Sequence, residues 1–282
     1  MREALRITDR HGDDVTATKA DAVVLRIRRT VTGSTAGATG RLGTLPAAPR
    51  WERFPVPFAD PQMTVLDALI WAQQNLDQTI AFRCACRVGM CGTCGMVIDG
   101  REGLACRTRF RDLNGGPARR RDFTVEPMRN LPVLRDLVCD LAGFYGKVRQ
   151  ALGDVSRRPG MEGIVAISPS SDERVAISPQ RDCIYCGLCY SACTIAGFDD
   201  GFLGPAALNR AFVAIRDSRN ERGNEALAAI ATEHGLWRCH TMYECTAVCP
   251  KGISPTLAIQ ALRRKVVAQK FRKVLGFTRS TG

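Results

Sequence analysis

Hydrophobic and polar residues alternate along AVVLRIRRTV (22–31), placing Val23, Leu25 and Ile27 on one face. A period of two marks a strand with one buried side. Phe54, Val56 and Phe58 repeat that period and predict a partner strand. Residues 33–49 between them are dominated by Gly, Ser, Thr, Ala and Pro and predict a long mobile loop. The period then lengthens. Leu66, Leu69, Ile70 and Leu76 fit one face of a helix, opened by Thr64 and Asp67 in the arrangement of a capping box. Asp99-Gly100, inside GMVIDGREGLAC, predicts the tight turn of a hairpin. Residues 107–121 are basic and loop-like, and 123–125 read as a last short strand. This part mixes strands with one helix and forms an α+β domain over 1–130, carrying a flexible 33–50 insertion.

The remainder, 131–282, is patterned as an all-α domain. Asn130, with Pro132 near the first turn, predicts a helix bearing Leu134, Leu137, Val138, Leu141, Phe144 and Val148. Residues 153–180 are rich in Gly, Pro and Ser and read as a crossing linker. Leu208, Ala211, Phe212 and Ile215 form another helical stripe, and Ser254-Pro255 opens a final helix running to about Leu275.

Length and composition agree with this division. At ~150 residues per domain, 282 residues suggest two domains. With 45% hydrophobic and 24% charged residues the chain can bury a core, which excludes disorder, collagen and small disulfide scaffolds. No apolar run approaches the ~18 residues needed to cross a bilayer, so a membrane role is expected to come through a partner. The segment MREALRITDRHGDD lacks the apolar stretch of a secretory signal. Two quantities change the picture: a net charge of +12, and 13 cysteines against 3 histidines. In a reducing compartment, clustered thiols bind metal more often than they pair. An iron–sulfur electron carrier and a basic zinc protein that binds nucleic acid both fit such numbers.

Spacing separates them. Cys86-x4-Cys91-x2-Cys94, followed by Cys106, is the plant-type ferredoxin spacing for a [2Fe–2S] cluster. Gly89, Gly92 and Gly95 let the loop take positive φ and bring N–H groups close to sulfur. A structural zinc site uses the same ligand type, although zinc fingers usually combine two CxxC knuckles. Cys183-x2-Cys186-x2-Cys189-x3-Cys193 and Cys239-x5-Cys245-x3-Cys249-Pro250 form the two runs of a bacterial dicluster ferredoxin. There the fourth cysteine of each run ligates the other cluster. The crossover assigns Cys183, Cys186, Cys189 and Cys249 to a [4Fe–4S] cluster, and Cys193, Cys239 and Cys245 to a second one. Met242 occupies the missing cysteine position of the third run. Three thiolates fit [3Fe–4S]; a [4Fe–4S] cluster with a non-cysteine fourth ligand is the alternative. Cys84, just before Cys86, is an alternative ligand, and Cys139 is expected on the apolar stripe of the helix opened by Asn130.

These motifs resemble one family, the iron–sulfur subunit of succinate dehydrogenase and fumarate reductase. The resemblance covers roughly 20–275. It includes FRCACRVGMCGTCGMVIDGREGLAC, EPMRNLPVLRDLVCDLAGFY, CIYCGLCYSAC, GPAALNRAF…RDSR and GLWRCHTMYECTAVCPKGISPTLAI, several of which carry no ligands. It implies a plant-type ferredoxin (β-grasp) domain followed by an all-α bacterial-ferredoxin-like domain. It implies an FAD-bearing flavoprotein partner that oxidises succinate, and one or more membrane-anchor subunits, with or without haem b. Electrons would pass through the three clusters to a quinone; fumarate reductases run the same path backwards, and a soluble iron–sulfur carrier serving another flavin dehydrogenase is the other alternative. It implies a peripheral position at the cytoplasmic face of a bacterial inner membrane. The chain itself shows neither a catalytic acid–base pair nor a nucleotide-binding glycine loop, so the carbon chemistry belongs to a partner.

Four residues near the second dicluster site bear on the acceptor. His240 matches a position that often holds histidine in ubiquinone-reducing members; hydrogen bonding to quinone or a haem propionate, and a plain surface role, both remain open. Thr194 replaces the family's usual proline. Phe198 stands where a quinone-contacting tryptophan is common, without its indole donor. Met242 matches the apolar residue of other members. From Cys245 onward there are eight Lys/Arg and no acidic residue. This tail fits either anionic headgroups or a solvated helix face. Nucleic acid is not expected, because no base-reading motif accompanies the charge.

Overall fold

The computed structural model describes residues 4–8, 14–18, 22–30, 49–58, 60, 62–113, 121–152 and 155–275. The expected loop at 33–49 lies almost wholly outside them. The chain separates into two compact units, Met1–Asp140 and Leu141–Gly282.

In the first unit, β1 (Ala4–Thr8) and β2 (Asp14–Thr18) form an antiparallel pair. The main sheet has five strands: β3 (Ala22–Arg29), β4 (Arg50–Pro57), β5 (Gly95–Ile98), β6 (Arg101–Leu104) and β7 (Asp122–Glu126), ordered β4-β3-β7-β5-β6. The β3–β4 pair is antiparallel, with Leu25 opposite Phe54, whereas β3–β7 is parallel. Helix α1 (Val65–Asn75) begins at the expected capping box. Thr64 Oγ1 accepts from Asp67 N–H at 3.2 Å, and Asp67 Oδ2 accepts from Thr64 N–H at 2.9 Å. Its Val65, Leu66, Leu69 and Ala72 are buried, as are Leu25, Ile27, Val56, Phe123 and Val125 of the sheet. Phe110, opening the one-turn α2 (Phe110–Leu113), lies 4.9 Å ring-to-ring from Phe123.

The alternation of β3 continues past Ile27 to a residue of opposite character, Arg29, which is also buried. Its guanidinium meets Asp77 Oδ2 at 3.0 Å, Glu52 Oε2 at 3.2 Å and Asp136 Oδ1 at 3.2 Å, and donates to Thr79 Oγ1 at 2.7 Å. Asp136, also buried, accepts from Thr30 N–H and Ala81 N–H, each at 2.9 Å.

Asp136 also explains a departure from the pattern. The helix expected from Asn130 does not start there. Asn130 and Asp136 take left-handed φ of 61° and 46°, and β8 (Val133–Arg135) pairs with β9 (Val138–Cys139) as a hairpin. Leu134 is exposed while Leu137 is buried, an in/out order that a helical stripe would not give. The long-range bonds of the Asp136 carboxylate outweigh local helix propensity. Cys139 is buried as expected but on a strand, its Sγ 3.6 Å from Met128 O.

The second unit contains α3 (Ala142–Leu152), α4 (Asp172–Arg181), α5 (Leu188–Ser191), α6 (Thr194–Phe198), α7 (Pro205–Arg216), α8 (Gly223–Ile230), a 3₁₀ turn (Leu236–Arg238), α9 (Glu244–Ala247) and α10 (Pro255–Val274). Helix α4 falls inside the expected linker. Its start was legible in Ser171, which caps Arg174 N–H at 3.2 Å ahead of two acidic residues, whereas Pro179 in its last turn masks the pattern. Helix α7 forms the centre of this unit, with Leu208, Ala211, Phe212 and Ile215 all buried, and α3, α4, α8 and α10 pack around it. Ser254 caps α10 as expected.

Candidate metal centres

The first cysteine group lies on the loop between α1 and β5, closed by the residues after β6. The β5–β6 hairpin turns at Asp99-Gly100, both with positive φ (49° and 78°), and brings Ala105 N–H to Cys94 O at 3.1 Å. That places Cys94 and Cys106 side by side at the hairpin's open end. Helix α1 fixes the same corner: its orphan donors Val65 N–H and Leu66 N–H reach Thr108 O (2.9 Å) and Ala105 O (3.1 Å). Arg87, Gly89 and Gly92 all take positive φ and curl the loop around sulfur. Met90 N–H and Cys91 N–H each donate to Cys86 Sγ at 3.2 Å, and Cys86 N–H to Cys91 Sγ at 3.5 Å. Gly89 is needed for contact as well as conformation, since a Cβ there would meet Arg107 Cγ at 2.9 Å.

The local fields differ. The Thr93 hydroxyl, 3.1 Å from Cys91 Sγ, together with the N–H groups of Cys86 and Thr93, pulls that thiol down to about 6. Burial pushes Cys94 up to about 12. Cys84 is exposed and lies with Phe82, Arg83, Arg87 and Thr93 around an open depression.

The other two groups meet within the second unit. One cavity is lined by Cys183, Cys186, Cys189 and Cys249, with Ile184, Tyr185 and Ile253 as apolar walls. A second is lined by Cys193, Cys239 and Cys245, together with His240, Thr241, Met242 and Ile259. Two short helices sort the cysteines of the two runs between these cavities. Left-handed Tyr185 and Gly187 start α5, which buries Cys189, and left-handed Thr241 and Tyr243 start α9, which carries Cys245 and ends just before Cys249. The thiols ring these spaces rather than converge on a point. Among the described residues, no three His, Cys, Asp or Glu side chains are placed to hold a single metal ion.

Burial pushes Cys186 up to about 11 and Cys189 well above the ordinary thiol range, and it raises Cys183, Cys193 and Cys245. A buried thiol of this kind gives up its proton only against a compensating cation, so the donor set suits iron bound with proton release. Iron–sulfur clusters are held by such thiolates and tuned by N–H groups aimed at sulfur.

The remaining predicted residues are placed unevenly. His240 and Met242 line the three-cysteine cavity and are exposed. Thr194 is engaged within the chain: its N–H and hydroxyl donate to the Glu244 carboxylate at 3.2 Å and 3.0 Å, tying one cysteine run to the other. Phe198, at the end of α6, is exposed and does not line that cavity. Sequence reasoning missed Glu244, although an acid directly before Cys245 was a visible signal. It also missed Asn209, a buried polar residue of α7 that lines the four-cysteine cavity.

Comparison with known proteins gives the class first. A family model described as a 2Fe-2S iron-sulfur cluster binding domain matches residues 41–146, and one described as a 4Fe-4S dicluster domain matches residues 179–253. The chain is therefore an iron–sulfur protein with a [2Fe–2S]-type domain followed by a dicluster domain. The fumarate reductase iron-sulfur subunit of Mycobacterium tuberculosis is 38% identical over 232 residues, covering 81% of this chain and 91% of that protein. The succinate dehydrogenase iron-sulfur subunit of Paracoccus denitrificans is 37% identical over 207 residues, 72% of this chain and 76% of that protein. Among solved structures, the Mycobacterium smegmatis Sdh1 complex in the apo form matches with a TM-score of 0.73 and 26% identity, covering 89% of this chain and 98% of that one. The chain belongs to the iron–sulfur subunit family of succinate dehydrogenase and fumarate reductase. Its role is electron transfer within an oxidoreductase complex.

Proposed function

We propose that this chain carries electrons from an FAD-bearing flavoprotein partner to a membrane quinone, as the iron–sulfur subunit of a succinate:quinone oxidoreductase. Cys86, Cys91, Cys94 and Cys106, on a β-grasp domain, would hold [2Fe–2S]; Cys183, Cys186, Cys189 and Cys249 would hold [4Fe–4S]; Cys193, Cys239 and Cys245 would hold [3Fe–4S]. The observation that carries the reading is the sorting of seven dicluster cysteines around two cavities in the crossed arrangement. When bound, such clusters take up and release single electrons at potentials set by cluster type, charge and hydrogen bonds to sulfur. The chain supplies the rest: N–H donors from Met90 and Cys91 to sulfur, apolar walls that exclude water, and the Thr194–Glu244 tie between the cysteine runs. An anchor subunit, with or without haem b, would place the complex at the cytoplasmic face of a bacterial inner membrane. Fumarate reduction is the second reading, favoured by the 38% identity to a fumarate reductase subunit.

Electron paramagnetic resonance on anaerobically purified protein tests this. A [3Fe–4S] signal when oxidised, with [2Fe–2S] and [4Fe–4S] signals after dithionite, is expected. A silent sample containing zinc and no iron overturns it.

Two variants probe the acceptor end. Met242→Cys adds a thiol to the three-cysteine cavity and is expected to convert its signal to [4Fe–4S]; an unchanged spectrum removes Met242 from the open corner. His240→Gln is expected to slow quinone reduction about tenfold, the worth of one hydrogen bond, while succinate oxidation by an artificial acceptor stays intact. Unchanged quinone kinetics would return His240 to a surface role.

A further inference from the structure

Helix α10 is built in two halves. Over its first three turns it buries Ala258, Ile259, Leu262 and Val266 against its own unit. After Val266 no residue of the helix is buried, and Gln269 Nε2 donates to Asn224 Oδ1 at 3.1 Å. The final turns nevertheless carry large apolar side chains in the open: Val267, Phe271 at 62%, Val274 at 82% and Leu275 at 65% exposure. At roughly 100° per residue, these four fall within one arc of about 100°, on the side opposite Leu262 and Val266. Lys270 and Arg272 flank that arc and Lys273 lies behind it, and α10 contains no acidic residue. The same open side carries exposed Leu257 near the helix start, and Gln260 there bonds Thr241 Oγ1 at 2.6 Å. Thr241 belongs to the loop that also exposes Met242 and Tyr243.

A solvated helix face does not explain exposed Phe, Val and Leu on one arc, and a nucleic-acid surface does not require them. An apolar arc bordered by cations, on a helix that is not a membrane span, matches a helix lying in the plane of a lipid surface. The cationic stems reach outward past the apolar arc to headgroups while the arc enters the acyl boundary. We propose that the end of α10, from Val267 to its cap residue Leu275, is such an in-plane contact, with Phe271 and Val274 entering an anionic bilayer and the flanking Lys270 and Arg272 binding its headgroups. This goes beyond docking on an anchor subunit, because the chain itself touches lipid. It asks nothing of the cysteine ligands, so its failure and that of the electron-transfer reading are read in separate experiments.

The test is sedimentation of the full chain with sucrose-loaded vesicles, either pure phosphatidylcholine or containing one part phosphatidylglycerol in four. Binding to the anionic vesicles, released by added salt, and little binding to the neutral ones are expected. At ~1 kcal/mol per basic residue near the surface, the loss of Lys270 and Arg272 in the triple variant Lys270→Gln, Arg272→Gln, Lys273→Gln should weaken partitioning about thirtyfold, Lys273 facing away from the bilayer. Phe271→Ser with Val274→Ser should also weaken it at unchanged charge. All five positions are exposed, and an unaltered thermal midpoint checks the fold. Equal binding to both vesicle types, or no effect of the triple variant, overturns the proposal. Loss with the charge variant but not the serine variant overturns the insertion. A full chain that ignores vesicles, while the triple variant no longer assembles with its membrane partner, shows that a protein covers this face and overturns the lipid contact.

Discussion

Cys249→Ser is expected to abolish the [4Fe–4S] signal while the [3Fe–4S] signal persists. In sequence, Cys249 is four residues from Cys245 and sixty from Cys189, so a site built from local neighbours would lose the opposite signal. The structure orders these residues differently. Helix α9 carries Cys245 toward Thr256, with Sγ 3.2 Å from Oγ1, whereas Cys249 lines the cavity of Cys183, Cys186 and Cys189. One ligand in four removed from a buried site should cost more than the about 10–100-fold loss of an outer-shell change. Electron transfer to quinone should therefore collapse, while oxidation of succinate at the flavoprotein with an artificial acceptor survives. Cys249→Ala, which cannot offer an alkoxide, gives the same result without a substitute ligand. Cys245→Ser is the mirror control and should remove the [3Fe–4S] signal. Loss of [3Fe–4S] alone in the Cys249 variants would break the crossover.

Asp136→Ala should strongly destabilise the first unit. Its carboxylate and the Arg29 guanidinium, 3.2 Å apart, are both almost fully buried. Breaking a buried ion pair costs about 3–5 kcal/mol, and the loss here should fall at the low end because Arg29 keeps Asp77 and Glu52. Two N–H groups, of Thr30 and Ala81, also lose their acceptor. A midpoint lowered by on the order of 10 °C is expected by calorimetry. Asp77→Asn should cost much less, since Asp77 is partly exposed and water can replace it. The consequence reaches the cysteines through a short path. Asp136 and Leu137 hold Ala81 at both N–H and C=O, and Arg83 donates to Cys139 O at 2.9 Å, so the β8–β9 hairpin grips the root of the Cys86 loop. Weaker [2Fe–2S] retention should accompany the lower midpoint. Equal stability of the Asp77 and Asp136 variants would show that the buried pair is not what holds this corner.

Local chemistry was readable where residues act on near neighbours. The Thr64–Asp67 capping box, the Asp99-Gly100 turn, the Ser254 cap and the α7 stripe all depend on contacts within a few residues, and all appear where the pattern put them. The Asn130 helix failed for the complementary reason. Its apolar spacing was compatible with a helix, but Asp136 makes its bonds to residues 30 and 81, which no local window contains.

Family, cysteine spacings and the gap at Met242 can all be read along the chain, because a ligand motif is a constraint on chain length between neighbours. It takes the folded structure to show that Arg29 lies inside the core at the end of an apolar alternation. That structure alone shows Thr194 bonded to Glu244, and α10 ending in an unburied apolar arc. Burial and long-range pairing depend on which distant segments the fold brings together, and that information is spread over the whole chain rather than written at any one position.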